Sequence, residues 1–197
     1  MRAGSFLLTV VFAIALFPSH TRAQAPVRPF DRVDVGLYGA ANVNRNQFHT
    51  YWDAGQAGAI DAVTPFYAGR VSLLVRVTVN DAATGETTPE FTSVFAALGW
   101  RVGRPLFFEH LRTDLGLHVG FTEWIFDAED ESSLDNELEL GVEGSVRAAY
   151  EFASRWHAVV EASYQYTFTY ERIELAYVSV GVARTFAAPG WIRSVLQ

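Results

Sequence analysis

The chain has 197 residues, half of them hydrophobic, and its 15 basic and 22 acidic side chains give a formal net charge of −7 at pH 7. This acidic balance argues against a protein that binds nucleic acid through positive charge. The sequence has no cysteine, which excludes disulfides, thiolate metal sites and cysteine nucleophiles. A phosphate-binding loop, a dinucleotide fingerprint and a nucleophile elbow are also absent from it, so we expect no cofactor, no metal and no catalytic residues.

Residues 1–23 have the features of a secretory signal peptide. Arg2 gives a charged start, residues 6–17 form an apolar run, and Ala23 offers a small residue at a cleavage site. This apolar run is too short for a membrane-spanning helix, which needs about 20 residues. We therefore expect a cleaved signal and export from the cytoplasm, with residues 24–32 as the amino-terminal segment of the mature chain.

Apolar and polar residues alternate through most of the mature chain, and a period of two predicts β-strands with one apolar and one polar face. The clearest case is Leu138, Leu140 and Val142, which alternate with Glu139 and Glu143. The pattern predicts strands over residues 33–44, 66–79, 91–102, 106–126, 138–152, 156–170 and 173–186.

The connections between these strands alternate in length. Residues 103–105 and 153–155 are typical of short turns, whereas residues 80–89 and 127–133 are longer and polar. Short turns at one end and long loops at the other are typical of an antiparallel up-and-down barrel in a membrane.

A barrel whose two chain ends lie on the same side needs an even number of strands, so the seven predicted strands leave one missing. The best candidate is residues 47–53, which follow a turn-like sequence. The expected fold is an all-β, antiparallel up-and-down transmembrane β-barrel of eight strands over residues 33–186, followed by a short extension, 187–197.

The alternation does not by itself say which face of the barrel is inside. The polar face carries small residues such as Gly116, Gly141 and Ser145, which suit a narrow interior. Aromatic side chains collect near the strand ends, where the interfaces of a bilayer would lie. The expected aromatic girdle is Trp100, Phe107, Tyr150, Phe152, Trp156, Tyr166, Phe168 and Phe186. These features favour an apolar face towards lipid; the alternative is a soluble lipocalin-like carrier with its apolar face inward.

The closing strand, Tyr177 to Phe186, ends in an aromatic residue with apolar residues at alternate positions before it. It resembles the assembly signal of bacterial outer-membrane proteins. The mature chain is similar in size and pattern to the small eight-stranded barrels of the outer-membrane protein A membrane domain and OmpX class. The resemblance implies the outer membrane of a Gram-negative-type bacterium, with residues 24–32 in the periplasm and with outer-membrane lipid and the barrel-assembly machinery as partners.

One departure from that family is the extension after Phe186, since the assembly signal normally ends the chain. Trp191, Ile192, Val195 and Leu196 would line one side of a short helix there, an interfacial anchor. A frayed tail is the other interpretation.

The polar face also predicts a charged interior. With directly opposed residues on neighbouring strands, the register places Arg147 between Asp114 and Glu161, Glu151 between His110 and His157, and His118 opposite Glu143. An arginine between two carboxylates is favourable because its planar guanidinium can bind both. An unpaired charge in so narrow a space would be costly, so we expect these groups to pair.

The leading functional interpretation is a non-enzymatic barrel with a side-chain-filled interior. Its surface loops would serve envelope structure or bind a surface protein or a glycan, and the long strands around residues 106–152 would project a hairpin suited to strand addition. The alternative is an enzyme acting on envelope lipid, with His118, Glu143 and either Ser145 or Ser163 as a hydrolytic relay. An eight-stranded interior leaves little room for a substrate.

Two loop regions stay open to two interpretations each. One is an acidic segment that comprises Asp127, Glu129, Asp130, Glu131 and Asp135. This segment either binds calcium or is solvated, and it lacks the EF-hand spacing. Residues 48–66, which mix aromatic residues with glycines, form either a ligand-contact surface or a packed loop.

Overall fold

The computed structural model describes residues 28–85, 88–106, 108–126, 136–169 and 173–190. Within these residues the chain forms eight β-strands and a short 3₁₀ helix, Gln47–Thr50. The strands are β1 (Arg32–Asn42), β2 (Trp52–Phe66), β3 (Gly69–Ala82), β4 (Phe91–Leu106), β5 (Phe108–Phe126), β6 (Glu137–Ala153), β7 (Trp156–Thr167) and β8 (Ile173–Ala187). No helix in this described part of the chain is long and apolar enough to cross a membrane.

Each strand pairs in antiparallel fashion with the next one, and β1 pairs with β8, so the sheet closes into a barrel. The closing register runs from Arg32 opposite Ala187 to Asn42 opposite Tyr177. Closure removes the free strand edges that an open sheet would present. The predicted all-β, antiparallel up-and-down barrel of eight strands is confirmed.

The connections are short at one end of the barrel and longer at the other, as predicted. At the end that we call the turn end, β2 joins β3 through Tyr67 and Ala68, and β6 joins β7 through Ser154 and Arg155. Tyr67 and Arg155 have φ angles of 45° and 69°, in the left-handed region that tight turns use. We call the opposite end, which carries the connections after β1, β3, β5 and β7, the loop end.

The prediction of a turn at residues 103–105 was wrong. These residues continue β4, and the chain turns only after Leu106. The pairing of β3 with β4 ends at Arg70 opposite Arg101, so Pro105 has no strand beside it on that side. A proline, which lacks an N–H group, is tolerated at such an edge, and the β4–β5 hairpin extends past β3 at the turn end.

The missing strand is β2, and its predicted position at residues 47–53 was wrong. Residues Gln47–Thr50 form the 3₁₀ helix, whose first turn is capped by the Asn46 side chain, and β2 begins only at Trp52. The strand was hard to recognise because small or apolar residues occupy both of its faces. Ala57 and Ala59 point inward, whereas Ile60 is half exposed on the outside.

The apolar face of the sheet points outward and the polar face lines the interior, as predicted. Leu37 and Leu98 on the outer wall are 65% and 64% exposed, whereas the side chains of Arg101, His118 and Glu143 inside are fully buried. This is the reverse of a soluble protein, in which charged residues are rarely buried. The lipocalin-like alternative, with its apolar face inward, is therefore wrong.

Candidate functional site in the barrel interior

A belt of ion pairs crosses the interior between the two ends of the barrel. Its members among the described residues are five arginines and five carboxylates: Arg70, Arg76, Arg101, Arg112, Arg147, Asp34, Asp61, Asp114, Glu143 and Glu161. Equal numbers of positive and negative groups leave the belt without formal net charge. Buried charges are tolerated only when they are paired and hydrogen-bonded in this way.

Two arginines and two carboxylates share partners at the centre of the belt. Arg147 Nη2 donates to Asp61 Oδ2 at 2.6 Å, and Arg147 Nε lies 3.0 Å from Glu161 Oε2. Arg101 Nη1 donates to the same Glu161 oxygen at 2.7 Å, and its Nη2 lies 3.5 Å from Asp61 Oδ2. The Tyr38 hydroxyl donates to Asp61 Oδ1 at 2.7 Å. Asp61 therefore contacts three side chains from three other strands.

The ion pairs differ in part from the predicted tier of Asp114, Arg147 and Glu161. Arg147 lies opposite both carboxylates in the strand register, as predicted, and it binds Glu161. Asp114 instead binds Arg70 Nη2 at 2.5 Å, and Asp61 of β2 takes its place at Arg147. The physical reason is that long guanidinium side chains reach across a narrow interior to strands other than their neighbours.

His118 lies opposite Glu143, as predicted, and forms part of a buried Ser–His–Glu arrangement. Ser72 Oγ lies 2.9 Å from His118 Nε2, in the position that the sequence assigned to Ser145 or Ser163. His118 Nδ1 lies 3.8 Å from Glu143 Oε1, which is too long for a hydrogen bond. Ser72, His118 and Glu143 are all fully buried, so no substrate reaches Ser72 and the arrangement fills the interior.

A cavity of about 610 Å³ opens at the turn end and extends inward to Arg101 of the belt. We call it the vestibule. The remaining predicted interior residues, His110, Glu151 and His157, all line it. Glu151 lies opposite His157 in the register, as predicted, while His157 Nε2 hydrogen-bonds to Thr185 Oγ1 at 3.2 Å.

Apolar side chains fill the interior at the loop end. Phe48, Phe91, Trp124 and Tyr177 are all buried there. The Phe91 ring centroid lies 5.2 Å from that of Trp124 and 6.3 Å from that of Phe48. Since Phe48 belongs to Gln47–Thr50, this 3₁₀ helix helps to cover the loop end. The interior is thus covered by aromatic rings at one end and opens as a charged vestibule at the other.

The 3₁₀ helix at the loop end should be sensitive to pH through His49. His49 Nδ1 accepts the Asn46 backbone N–H at 3.3 Å, and His49 Nε2 lies 2.9 Å from Asn42 Oδ1. Only a neutral ring with its proton on Nε2 can make both bonds. Burial, helped by the nearby Arg45 charge, holds the pKa of His49 below its usual range.

Because that pKa is lowered in the folded state, the stability that the neutral ring contributes is present above pH of about 6.5 and is lost as the pH falls below it. Amide hydrogen exchange should show the protection factor of the Phe48 N–H, which donates to Asn46 Oδ1, decreasing from pH 7 to pH 5. In His49→Gln, which keeps an acceptor but does not titrate, the protection should not change over this range. Equal pH dependence in both proteins would contradict the role given to His49.

Seven of the eight predicted girdle aromatics lie in the described part of the chain, and all seven are at least partly exposed. Near the turn end they are Trp100, Tyr150, Phe152, Trp156 and Phe186, each between 37% and 54% exposed. Near the loop end, Tyr166 and Phe168 pack against each other with ring centroids 4.7 Å apart. Phe107 lies outside the described residues.

Several members of the belt were not among the residues predicted from the sequence. Arg70, Arg76 and Arg101 occupy the polar positions of their predicted strands, so strand parity could have identified them. Asp61 gave no such signal because it lies in the unrecognised strand. The acidic segment 127–135, the tail 191–197 and the signal 1–23 lie outside the described residues.

The sequence matches no protein-family model and no curated protein, but solved structures share its fold. The amino-terminal β-barrel domain of Pseudomonas aeruginosa OprF matches with a TM-score of 0.55 and 11% identity, covering 81% of this chain and 100% of that domain. The outer-membrane protein OprG of the same organism has a TM-score of 0.54 and 10% identity, over 80% and 95% of the two chains. Neisserial surface protein A has a TM-score of 0.52 and 10% identity, over 79% and 96%. The chain therefore has the fold of the small eight-stranded barrels of bacterial outer membranes.

Proposed function

We propose that the protein is a non-enzymatic barrel of the outer membrane of a Gram-negative-type bacterium, exported by a cleaved signal in residues 1–23. The observation that carries this proposal is an apolar outer wall around a charged, filled interior. An exposed apolar surface of this extent is suited to a membrane, and a closed barrel satisfies every backbone group of its strands within lipid. Outer-membrane lipid and the barrel-assembly machinery would then be its partners.

The filled interior supports a role for the outer surface rather than for conduction. Eight strands enclose a space just wide enough for side chains, and here the belt and the aromatic cluster occupy it. The complete burial of Ser72, His118 and Glu143 supports a non-enzymatic role. We therefore assign envelope structure, or the binding of a surface protein or a glycan, to the loops at the loop end.

Cell fractionation combined with gel migration tests the location. We expect the protein in the outer-membrane fraction, with faster migration before heating than after it, because a closed barrel in detergent stays folded until heated. Spin labels at Leu117 and Val142 on the outer wall should be accessible to oxygen dissolved in the acyl region. Recovery in buffer without detergent, or labels shielded from that oxygen, would overturn the proposal.

The same purified protein tests the filled interior. In planar bilayers it should give no steady ion conductance, and liposomes that contain it should not swell in sugar solutions. Replacing residues 127–135 with a short glycine-serine linker should reduce cell adhesion and leave the barrel folded. Steady conductance, or adhesion that the loop replacement does not change, would contradict the assignment to the surface loops.

A further inference from the structure

The vestibule at the turn end is rich in positive charge although the whole chain is acidic. Among the described residues, five arginines and three carboxylates line it: Arg32, Arg70, Arg101, Arg112, Arg155, Asp34, Asp114 and Glu151. Arg70, Arg101, Arg112, Asp34 and Asp114 belong to the neutral belt, so the lining residues outside the belt, Arg32, Arg155 and Glu151, add one formal positive charge. The net charge of the whole chain is −7. A recess with an excess of positive charge attracts anions.

Two of these arginines have no carboxylate partner in the described part of the chain. Arg70 and Arg112 are paired with Asp34 and Asp114, whereas Arg32 and Arg155 form no ion pair with any described residue. Strand pairing or a hydrogen bond holds the backbone of both residues in place. Arg32 opens β1 opposite Ala187, and the Arg155 carbonyl accepts the Thr185 N–H at 2.8 Å. Two cations without an ion pair among the described residues thus line the cavity, one from the start of β1 and one from the β6–β7 turn.

The inner end of the vestibule holds a buried donor without a partner. Arg101 lines the cavity and is 0% exposed. Its Nη1 binds Glu161, but its Nε has no hydrogen-bond partner. A buried N–H of a charged group that lacks an acceptor is costly. Because Arg101 is fully buried, it would act at the inner end of the cavity through its positive charge and not through direct contact.

We infer that the vestibule binds an oxyanion group, a carboxylate or a phosphate, of a small solute or chain end that enters from the turn end. Arg32 and Arg155 would make the outer contacts, and Arg101 would attract the group from the inner end. Guanidinium groups bind both oxyanions through charge-assisted, often bidentate hydrogen bonds. A cavity of about 610 Å³ is in the range of small-molecule sites, so a short peptide or a sugar phosphate would fit.

The β4–β5 hairpin supports this assignment because it extends past β3 and contributes Gly103, Pro105 and His110 to the wall of the vestibule. The cavity is therefore a recess that is enclosed at its sides and at its inner end. Under the proposed function the turn end faces the periplasm, so the ligand would come from that compartment. Binding to the purified barrel does not depend on this location, so the two proposals can fail separately.

Isothermal titration calorimetry with the full-length mature chain in detergent micelles tests the inference. The probes are inorganic phosphate, N-acetyl-alanyl-alanine with a free carboxylate, and the same dipeptide as its carboxyl amide. We expect saturable binding of the phosphate or of the free acid, and no binding of the amide. Which of the two oxyanions binds shows whether the natural ligand presents a phosphate or a carboxylate. The double variant Arg32→Gln and Arg155→Asn should weaken that binding at least tenfold. Asparagine is chosen because it tolerates the left-handed backbone at that position.

The matched control is Arg45→Gln, which removes the same charge from an exposed arginine at the loop end. It should bind with wild-type affinity, and heat-dependent gel migration should show that all variants are folded. If neither oxyanion binds saturably, or if the double variant and Arg45→Gln bind equally well, the inference is wrong. Saturable binding of the amide with the same affinity as the free acid would also overturn it.

Discussion

Replacing Asp61 with asparagine is expected to lower the free energy of unfolding by about 3–5 kcal/mol, the usual cost of removing one partner from a buried ion pair. Asp61 is 2% exposed and accepts from both Tyr38 and Arg147. Without its charge, Glu161 becomes the one carboxylate shared by Arg101 and Arg147 at the centre of the belt. Urea titration of the barrel in lipid vesicles, followed by tryptophan fluorescence, would measure the loss.

Two further variants separate this electrostatic effect from a general loss of packing. Asp53→Asn makes the same chemical change at an exposed position of the same strand, and it should change the stability by less than about 0.5 kcal/mol. Adding Arg147→Met to Asp61→Asn removes the surplus cation and should restore a large part of the lost stability. If Asp61→Asn costs no more than Asp53→Asn, the belt does not contribute to stability through its charges.

The second large effect is expected at Gly120, which faces the interior on β5. A Cβ atom built there would lie 2.0 Å from the backbone oxygen of Ala96 and 2.5 Å from Ala97 Cα on β4. Backbone atoms of a paired strand cannot move aside without disturbing the ladder. Gly120→Ala should therefore lower the free energy of unfolding by about 1–3 kcal/mol or more.

Gly144 supplies the matched control because it is exposed on the outside of β6, with no atom within 4 Å of a Cβ built there. Gly144→Ala should leave the stability unchanged or raise it by about 0.4–1 kcal/mol, since alanine has fewer conformations in the unfolded chain. The same urea titration compares the two variants. Equal stability changes for Gly120→Ala and Gly144→Ala would show that the close approach of β4 and β5 is not needed.

The fold could be predicted from the sequence because most strands carry a strong contrast between their two faces. In β6, glutamate alternates with leucine or valine, which determines the strand, its outward face and its neighbours in the register. The even strand count followed from the position of the chain ends. The failures have equally local causes, since β2 lacks contrast around Ala57 and Ile60, and Pro105 lies in a strand extension that has only one neighbour.

The site was less predictable than the fold because register fixes only which residues lie opposite each other on adjacent strands. It placed Asp114 and Glu161 beside Arg147 correctly. It could not show that the guanidinium would bind Asp61 across the interior instead of Asp114. The vestibule was unpredictable for a related reason, since its lining comes from residues far apart in the chain that meet only after closure.

The pairing of β1 with β8 has a consequence for how the protein can fail. Since β1 pairs with β8, a chain truncated before Ile173 would leave β1 and β7 each with an unpaired strand edge and would uncover the charged face of the interior. Loss of the final strand therefore affects both ends of the sheet, because β1 and β7 each lose a pairing partner.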